Sequence, residues 1–161
     1  MVLVIAILFV IICFGLVVIF GAPYLPTLKP QIRAAFELAE LKKGQTILEL
    51  GCGDGRVLVA AAKKGYKAVG YELNPLLALL AWLRCLRYRR QTKVIWGNYW
   101  HKQWPEADAL YVFLLQKFMS KLDKKCMQYP NKPIKVVSFA FKIPNKKEQK
   151  LKSGVYLYKY N

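Results

Sequence analysis

The run Glu49-Leu50-Gly51-Cys52-Gly53-Asp54-Gly55 sets two carboxylates among three glycines at alternate positions. It follows the apolar pair Ile47-Leu48 and precedes a helix-like stretch that starts near Val57. An acid at a strand end, then Gly-x-Gly-x-Gly, then a helix, predicts a tight turn that bares backbone N–H groups and keeps Cβ atoms away from a ligand. The spacing is not that of the dinucleotide fingerprint, which needs a glycine at position 56, where Arg56 stands. A further carboxylate ends the next expected strand, Lys67-Ala68-Val69-Gly70-Tyr71-Glu72. At that distance beyond a glycine turn, Glu72 can accept both hydroxyls of a ribose. The chemistry these residues suit is the binding of a nucleoside.

The elements that must hold them alternate. Pro30 opens a helix in which Ile32, Ala35, Phe36 and Ala39 recur at helical spacing, ended by Lys43-Gly44. Strands are expected at 46–50, 68–72, 93–96, 109–114 and 134–141, with a last one at 155–160. Helices are expected to about Lys64, from Leu76 to about Tyr88, and from Gln116 to Met127. This alternation predicts an α/β fold, a largely parallel sheet with helices on both faces. The Lys-rich stretch with Pro144 before the last strand leaves little room for another helix, so a trimmed C-terminus with six strands is expected, the last antiparallel.

Val2 to Phe20 carries no charge. Nineteen residues of helix span roughly 28 Å, near the thickness of a bilayer core, so a transmembrane anchor over 1–21 is expected. Lys29 and Arg33 lie on its C-terminal flank and no basic residue precedes it, which would place the rest of the chain in the cytoplasm, or in the mitochondrial matrix of a eukaryote. A proline-rich linker over 22–30 then leads to a domain over 31–161. The net charge of +17 comes mainly from lysine, and solvated lysines or an anionic membrane face are preferred as its explanation over nucleic acid. The four cysteines form no CxxC pair, so neither a disulfide framework nor a metal site is expected. Cys52 is read as packing, and His101 as a surface residue.

Taken together, Leu50-Gly51-Cys52-Gly53-Asp54-Gly55-Arg56, Gly70-Tyr71-Glu72-Leu73-Asn74-Pro75, Asn98-Tyr99-Trp100 and the leading Pro23-Tyr24-Leu25-Pro26-Thr27 resemble one family. It is the small membrane-anchored class I S-adenosylmethionine (SAM) methyltransferases that modify lysines of the ATP synthase c-subunit and the adenine nucleotide translocase. The resemblance covers residues 20 to about 115. It implies a Rossmann-like class I methyltransferase sheet, SAM as cofactor and a membrane-protein substrate. It also implies that Gly51, Gly53 and Gly55 floor the amino-acid part of SAM, with Asp54 capping the next helix or approaching the methionine moiety. Glu49 would take the ammonium and Glu72 the ribose, while Leu73 would pack on the adenine. Asn98 stands where the family usually has Asp for the adenine amino group. Tyr99 and Trp100 would stack on adenine or line an acceptor channel. Asn74 would also help to hold the cofactor. Tyr24, Asn74, Tyr99 and Trp100 are candidates to position the amine, and no residue is an evident general base. A methyltransferase of a lipid, a quinone or another small amphiphile, and a non-catalytic SAM-binding module, remain open beside lysine methylation.

The helix that starts at Leu76 is leucine-rich and ends in Arg84, Arg87, Arg89 and Arg90. It reads either as an ordinary core helix with a basic end or as a surface that docks on lipid or on a membrane-embedded substrate.

Overall fold

The computed structural model describes residues 23–161 together with Met1, Val4, Ile5, Leu8 and Gly15. Seven strands form one sheet in the order β3-β2-β1-β4-β5-β7-β6. They are β1 (Thr46–Leu50), β2 (Lys67–Glu72), β3 (Thr92–Trp96), β4 (Ala109–Val112), β5 (Ile134–Phe139), β6 (Lys150–Lys152) and β7 (Val155–Tyr160). β1 to β5 run parallel, and β7 is antiparallel to both β5 and β6. The expected parallel sheet and reversed last strand are present. The seventh strand, β6, was not expected. Only three residues long and exposed throughout, it lacks the apolar alternation by which a strand is recognised. It exists because Ser153 and Gly154, both with positive φ, fold it back onto β7.

Four helices cover the sheet: α1 (Lys29–Ala39), α2 (Arg56–Lys63), α3 (Pro75–Cys85) and α4 (Met119–Met127). Short 3-10 turns extend α3 through Tyr88 and precede α4 at Gln116–Phe118. Along β1 the side chains alternate: Ile47 packs with α1, α2 and α3, while Leu48 and Leu50 pack with Met119, Leu122 and Cys126 of α4. Helices thus lie on both faces, as expected. α1 stops earlier than expected, at Glu40, whose left-handed backbone (φ 50°) directs its N–H to the Phe36 carbonyl. Lys135 of β5 donates to the carbonyl of Ala39 at 2.6 Å and pins that helix end to the sheet.

The expected membrane-spanning helix is corrected. Among the described residues no helix is long and apolar enough to cross a membrane. Most of the stretch 1–21 on which that expectation falls lies outside the described residues. Hydropathy reports a preference for apolar surroundings, and a bilayer is only one of these.

β1 adjoins both β2 and β4, so successive connections leave it in opposite directions. The crevice outside the carboxyl ends of β1 and β4 is where open α/β sheets bind ligands. Gly70 in β2 allows the returning turn to close there. A Cβ on Gly70 would lie 2.6 Å from Cys52 Cβ and 2.8 Å from Leu58 Cδ1. Gly70→Ala is therefore expected to lower the unfolding free energy by about 1–3 kcal/mol in urea titrations. An unchanged midpoint would show that Cys52 and Leu58 move aside freely.

Candidate active site at the glycine turn

The turn after β1 carries three left-handed glycines, with φ of 84° at Gly51, 53° at Gly53 and 75° at Gly55. Each serves a different neighbour. A Cβ on Gly51 would have nothing described within 4 Å. At Gly53 it would lie 2.7 Å from the ring of Tyr24, and at Gly55 it would lie 3.0 Å from Ala81 of α3. The space where a Cβ would stand is open at Gly51, while at Gly53 and Gly55 it is taken by protein.

The expectation of bared N–H groups is also corrected. Gly51 and Cys52 both donate to the Tyr71 carbonyl, at 2.9 and 2.8 Å, and Gly55 donates to the Cys52 carbonyl at 2.8 Å. Gly53 donates to Oε2 of Glu72 at 2.8 Å. Main-chain donors are consumed because the turn is held against β2. What the crevice offers is three acidic side chains, Glu49, Asp54 and Glu72, the opposite of a phosphate cradle.

The three carboxylates differ. Asp54 is buried and paired with Arg56 at 2.8 Å and with Arg84 of α3. Burial acts to raise its pKa, but the two guanidinium groups outweigh it and hold the carboxyl down at about 2. It also accepts the Arg56 N–H at 3.3 Å, so the expected helix-capping contact is present. Glu72 accepts Gly53 N–H through Oε2 and Asn74 N–H through Oε1, both at 2.8 Å, and burial still moves it upward. Each of its oxygens keeps a lone pair for a hydroxyl. Glu49 is 4% exposed, and its Oε2 has no hydrogen-bond partner among the described residues. Burial first, then the charges of Asp54 and Glu72, push its carboxyl well above the ordinary range. A buried acid with an unanswered oxygen is a seat for a cation.

A cleft of about 250 Å³ opens above these groups. Glu49, Gly51, Gly53, Asp54, Glu72, Leu73, Asn98 and Tyr99 all line it. Gly55 does not; it packs beneath α3. Nor does Asn74, whose fully buried side chain caps α3 by accepting from Leu76 and Leu77 at 2.9 and 3.3 Å. Its expected roles toward the cofactor and the amine are replaced by this capping role, because Pro75 starts the helix one residue later. Asn98 Oδ1 accepts the Trp100 N–H at 2.9 Å, which leaves it one lone pair for an amino group. Tyr99 is buried and tilted against Trp100 with ring centroids 4.8 Å apart. Cys52 is buried and its thiol is pushed well up, so it stays protonated and packs, and His101 is exposed.

Two walls complete the cleft, and of these only Tyr24 is singled out by the sequence. The proline segment, expected to be a linker, runs over the turn: Tyr24 rests on Gly53 and reaches Arg56 Nη2 at 3.5 Å, and the hydroxyls of Thr27 and Tyr111 lie 3.2 Å apart. Opposite it, Phe113, Leu114, Ala140 and Phe141 close the cleft from the ends of β4 and β5. The signal for the first is the aromatic residue between two prolines, which carries more side-chain surface than a spacer needs.

The raised Glu49 and the lowered Asp54 act oppositely on stability. Glu49 keeps its proton in the folded chain above the ordinary value of 4.5, so its favourable contribution is full below that value and is lost as pH rises through the folded one. Asp54 contributes above its ordinary value of 3.8 and loses this as pH falls through about 2. In calorimetric scans Glu49→Gln should melt a few degrees above the unsubstituted chain at pH 8, with the gap closing near pH 4. Asp54→Asn should melt lower at pH 7. Equal melting of Glu49→Gln and the unsubstituted chain at pH 8 would mean that Glu49 is ionised at no cost.

Comparison with known proteins agrees with this geometry. Residues 49–150 match the ANTKMT methyltransferase domain. A protein-lysine N-methyltransferase of Saccharolobus islandicus (strain REY15A) is 32% identical over 125 residues, covering 75% of this chain and 78% of that protein. A lysine N-methyltransferase of the ATP synthase c-subunit, from Xenopus laevis, is 30% identical over 125 residues, covering 76% of this chain and 55% of that protein. The chain thus spans about half the length of relatives of the latter kind. The RNA methyltransferase from Salinibacter ruber, solved in complex with S-adenosyl-L-homocysteine, superposes with a TM-score of 0.76 at 25% identity over 84% of this chain and 92% of that one. Sequence, fold and crevice agree: the chain has a Rossmann-like class I methyltransferase fold and belongs to the ANTKMT family of protein-lysine methyltransferases.

Proposed function

We propose that this chain binds SAM and transfers its methyl group to a lysine side chain of a protein. The observation that carries the reading is the buried Oε2 of Glu49, which has no described partner beside the open space at Gly51. The amino-acid end of SAM brings an ammonium of the charge that this oxygen lacks. Glu72 would hold the ribose hydroxyls with its remaining lone pairs, and Leu73, Asn98 and Tyr99 would hold the adenine. When bound, SAM supplies an activated methyl group on a positively charged sulfur.

The chain's own task is to present a neutral amine in line with that methyl. A free lysine titrates near 10.4, so deprotonation at pH 7 costs roughly 4.6 kcal/mol. The carboxylates of the cleft lie where the cofactor would sit. The cleft is lined as well by the apolar residues Leu25, Pro26, Phe113 and Phe141. Desolvation between such walls lowers an amine's affinity for its proton and excludes water as a competing acceptor. Tyr24 and Trp100 line the cleft and would supply aromatic contacts to an incoming amine. The relatives named for the ATP synthase c-subunit make that small protein the first to offer as substrate.

Titration calorimetry should give micromolar binding of SAM and of S-adenosylhomocysteine. Glu49→Gln should weaken it roughly tenfold to a hundredfold, the worth of a charge-assisted hydrogen bond. No binding by the folded chain would remove the reading. With binding established, radiolabelled methyl should pass to protein. Label found instead in an organic extract would point to a small amphiphile, and label in neither to a binding module.

A further inference from the structure

Apart from Arg84, α3 carries only apolar residues, yet only one side of it is covered. Leu77, Ala78, Ala81 and Cys85 pack on the sheet, while Leu79, Leu80, Trp82 and Leu83 face outward at 53%, 41%, 52% and 49% exposure. Leu86, at 42%, continues this face into the 3-10 turn. A helix that is hydrophobic all round is normally enclosed, so its outer side calls for an occupant. Beside it lies β3, the edge strand, which ends in Trp96, the most exposed large side chain of the domain at 67%.

Charge identifies the occupant. Arg87, Arg89 and Arg90 follow the helix, all exposed, and Lys93 is exposed on β3. Among the described residues, these three arginines form no ion pair. Between Glu72 and Glu106 the sequence holds no Asp or Glu. Leucine and tryptophan side chains fringed by unpaired arginines suit the boundary of an anionic bilayer, where the apolar groups enter the acyl region and the guanidinium groups stay at the headgroups. A second copy fits poorly, because its arginines would meet these.

We propose that the outer face of α3, with Trp96, docks on the surface of an anionic lipid bilayer. This is peripheral contact by the folded domain and does not depend on the methyl-transfer reading. The position matters for the cleft, since Trp96 Nε1 donates to the carbonyl of Leu73 at 3.1 Å and Leu73 lines the cleft. Docking would therefore bring the mouth of the site to the lipid surface.

Tryptophan fluorescence of the full chain, with vesicles of phosphatidylglycerol carrying brominated acyl chains, tests this directly. Insertion of the face should quench emission, and Trp82→Phe/Trp96→Phe should lose most of the quenching. This readout separates the face from any other part of the chain that meets lipid. Arg87→Gln/Arg89→Gln/Arg90→Gln should weaken partitioning to these vesicles on the order of a hundredfold. Matching circular dichroism spectra would exclude misfolding of either variant. Equal quenching by neutral brominated phosphatidylcholine, or quenching that survives Trp82→Phe/Trp96→Phe, would overturn the proposal. No quenching by either lipid would also overturn it and leave the face to a protein partner.

Discussion

One buried carboxylate ties this site together. Glu72 receives the N–H of Gly53 through one oxygen and that of Asn74 through the other. The first contact fastens the glycine turn of β1 to the end of β2, and the second sets the start of α3. Each N–H would be an unsatisfied buried donor without it, at a cost of about 1–3 kcal/mol apiece. Because the carboxylate already makes these bonds, it is held still with its free lone pairs aimed outward. A group that binds ligand and frames its own surroundings gains orientation without further ordering on binding.

The remaining acids are arranged around that constraint. Asp54 is neutralised by Arg56 and Arg84, which lets it sit near Glu49 and Glu72 without forcing three like charges together. Glu49 has no such partner, so burial and the neighbouring acids raise its affinity for a proton. Among the described residues, Glu49 Oε2 is the carboxylate oxygen left buried without a hydrogen-bond partner. The consumption of main-chain donors by Tyr71 and Glu72 removes the anion-binding character that a glycine turn before a helix otherwise has. A Gly-rich turn of similar spacing can therefore select opposite ligand charges, according to what its N–H groups already hold.

The cleft has two characters, acidic and apolar, and they come from different parts of the chain. The acids lie on or just after β1 and β2. The apolar walls come from the proline segment before α1 and from the residues after β4 and β5. The first set holds charge in place, and the second controls water.

Much of this was determined locally by the sequence. A glycine triplet after an apolar strand can do little except turn, and an acid at the end of the neighbouring strand must face the same crevice, so Glu49, Gly51 and Glu72 were legible from their spacing. The strands were legible because parallel neighbours bury both faces and read as apolar runs. Tertiary structure alone decided the rest. Asn74 faces into the α3 terminus rather than the cleft because Pro75 begins the helix beside it. Tyr24 became a wall because Gly53, far along the chain, has no Cβ to exclude it. β6 carries no strand pattern and forms because β7 offers an unpaired edge. Hydropathy of residues 1–21 suggested a membrane, since composition records a preference for apolar surroundings without naming which surroundings satisfy it. Backbone conformation is set by near neighbours, whereas enclosure depends on which distant surfaces the fold brings together.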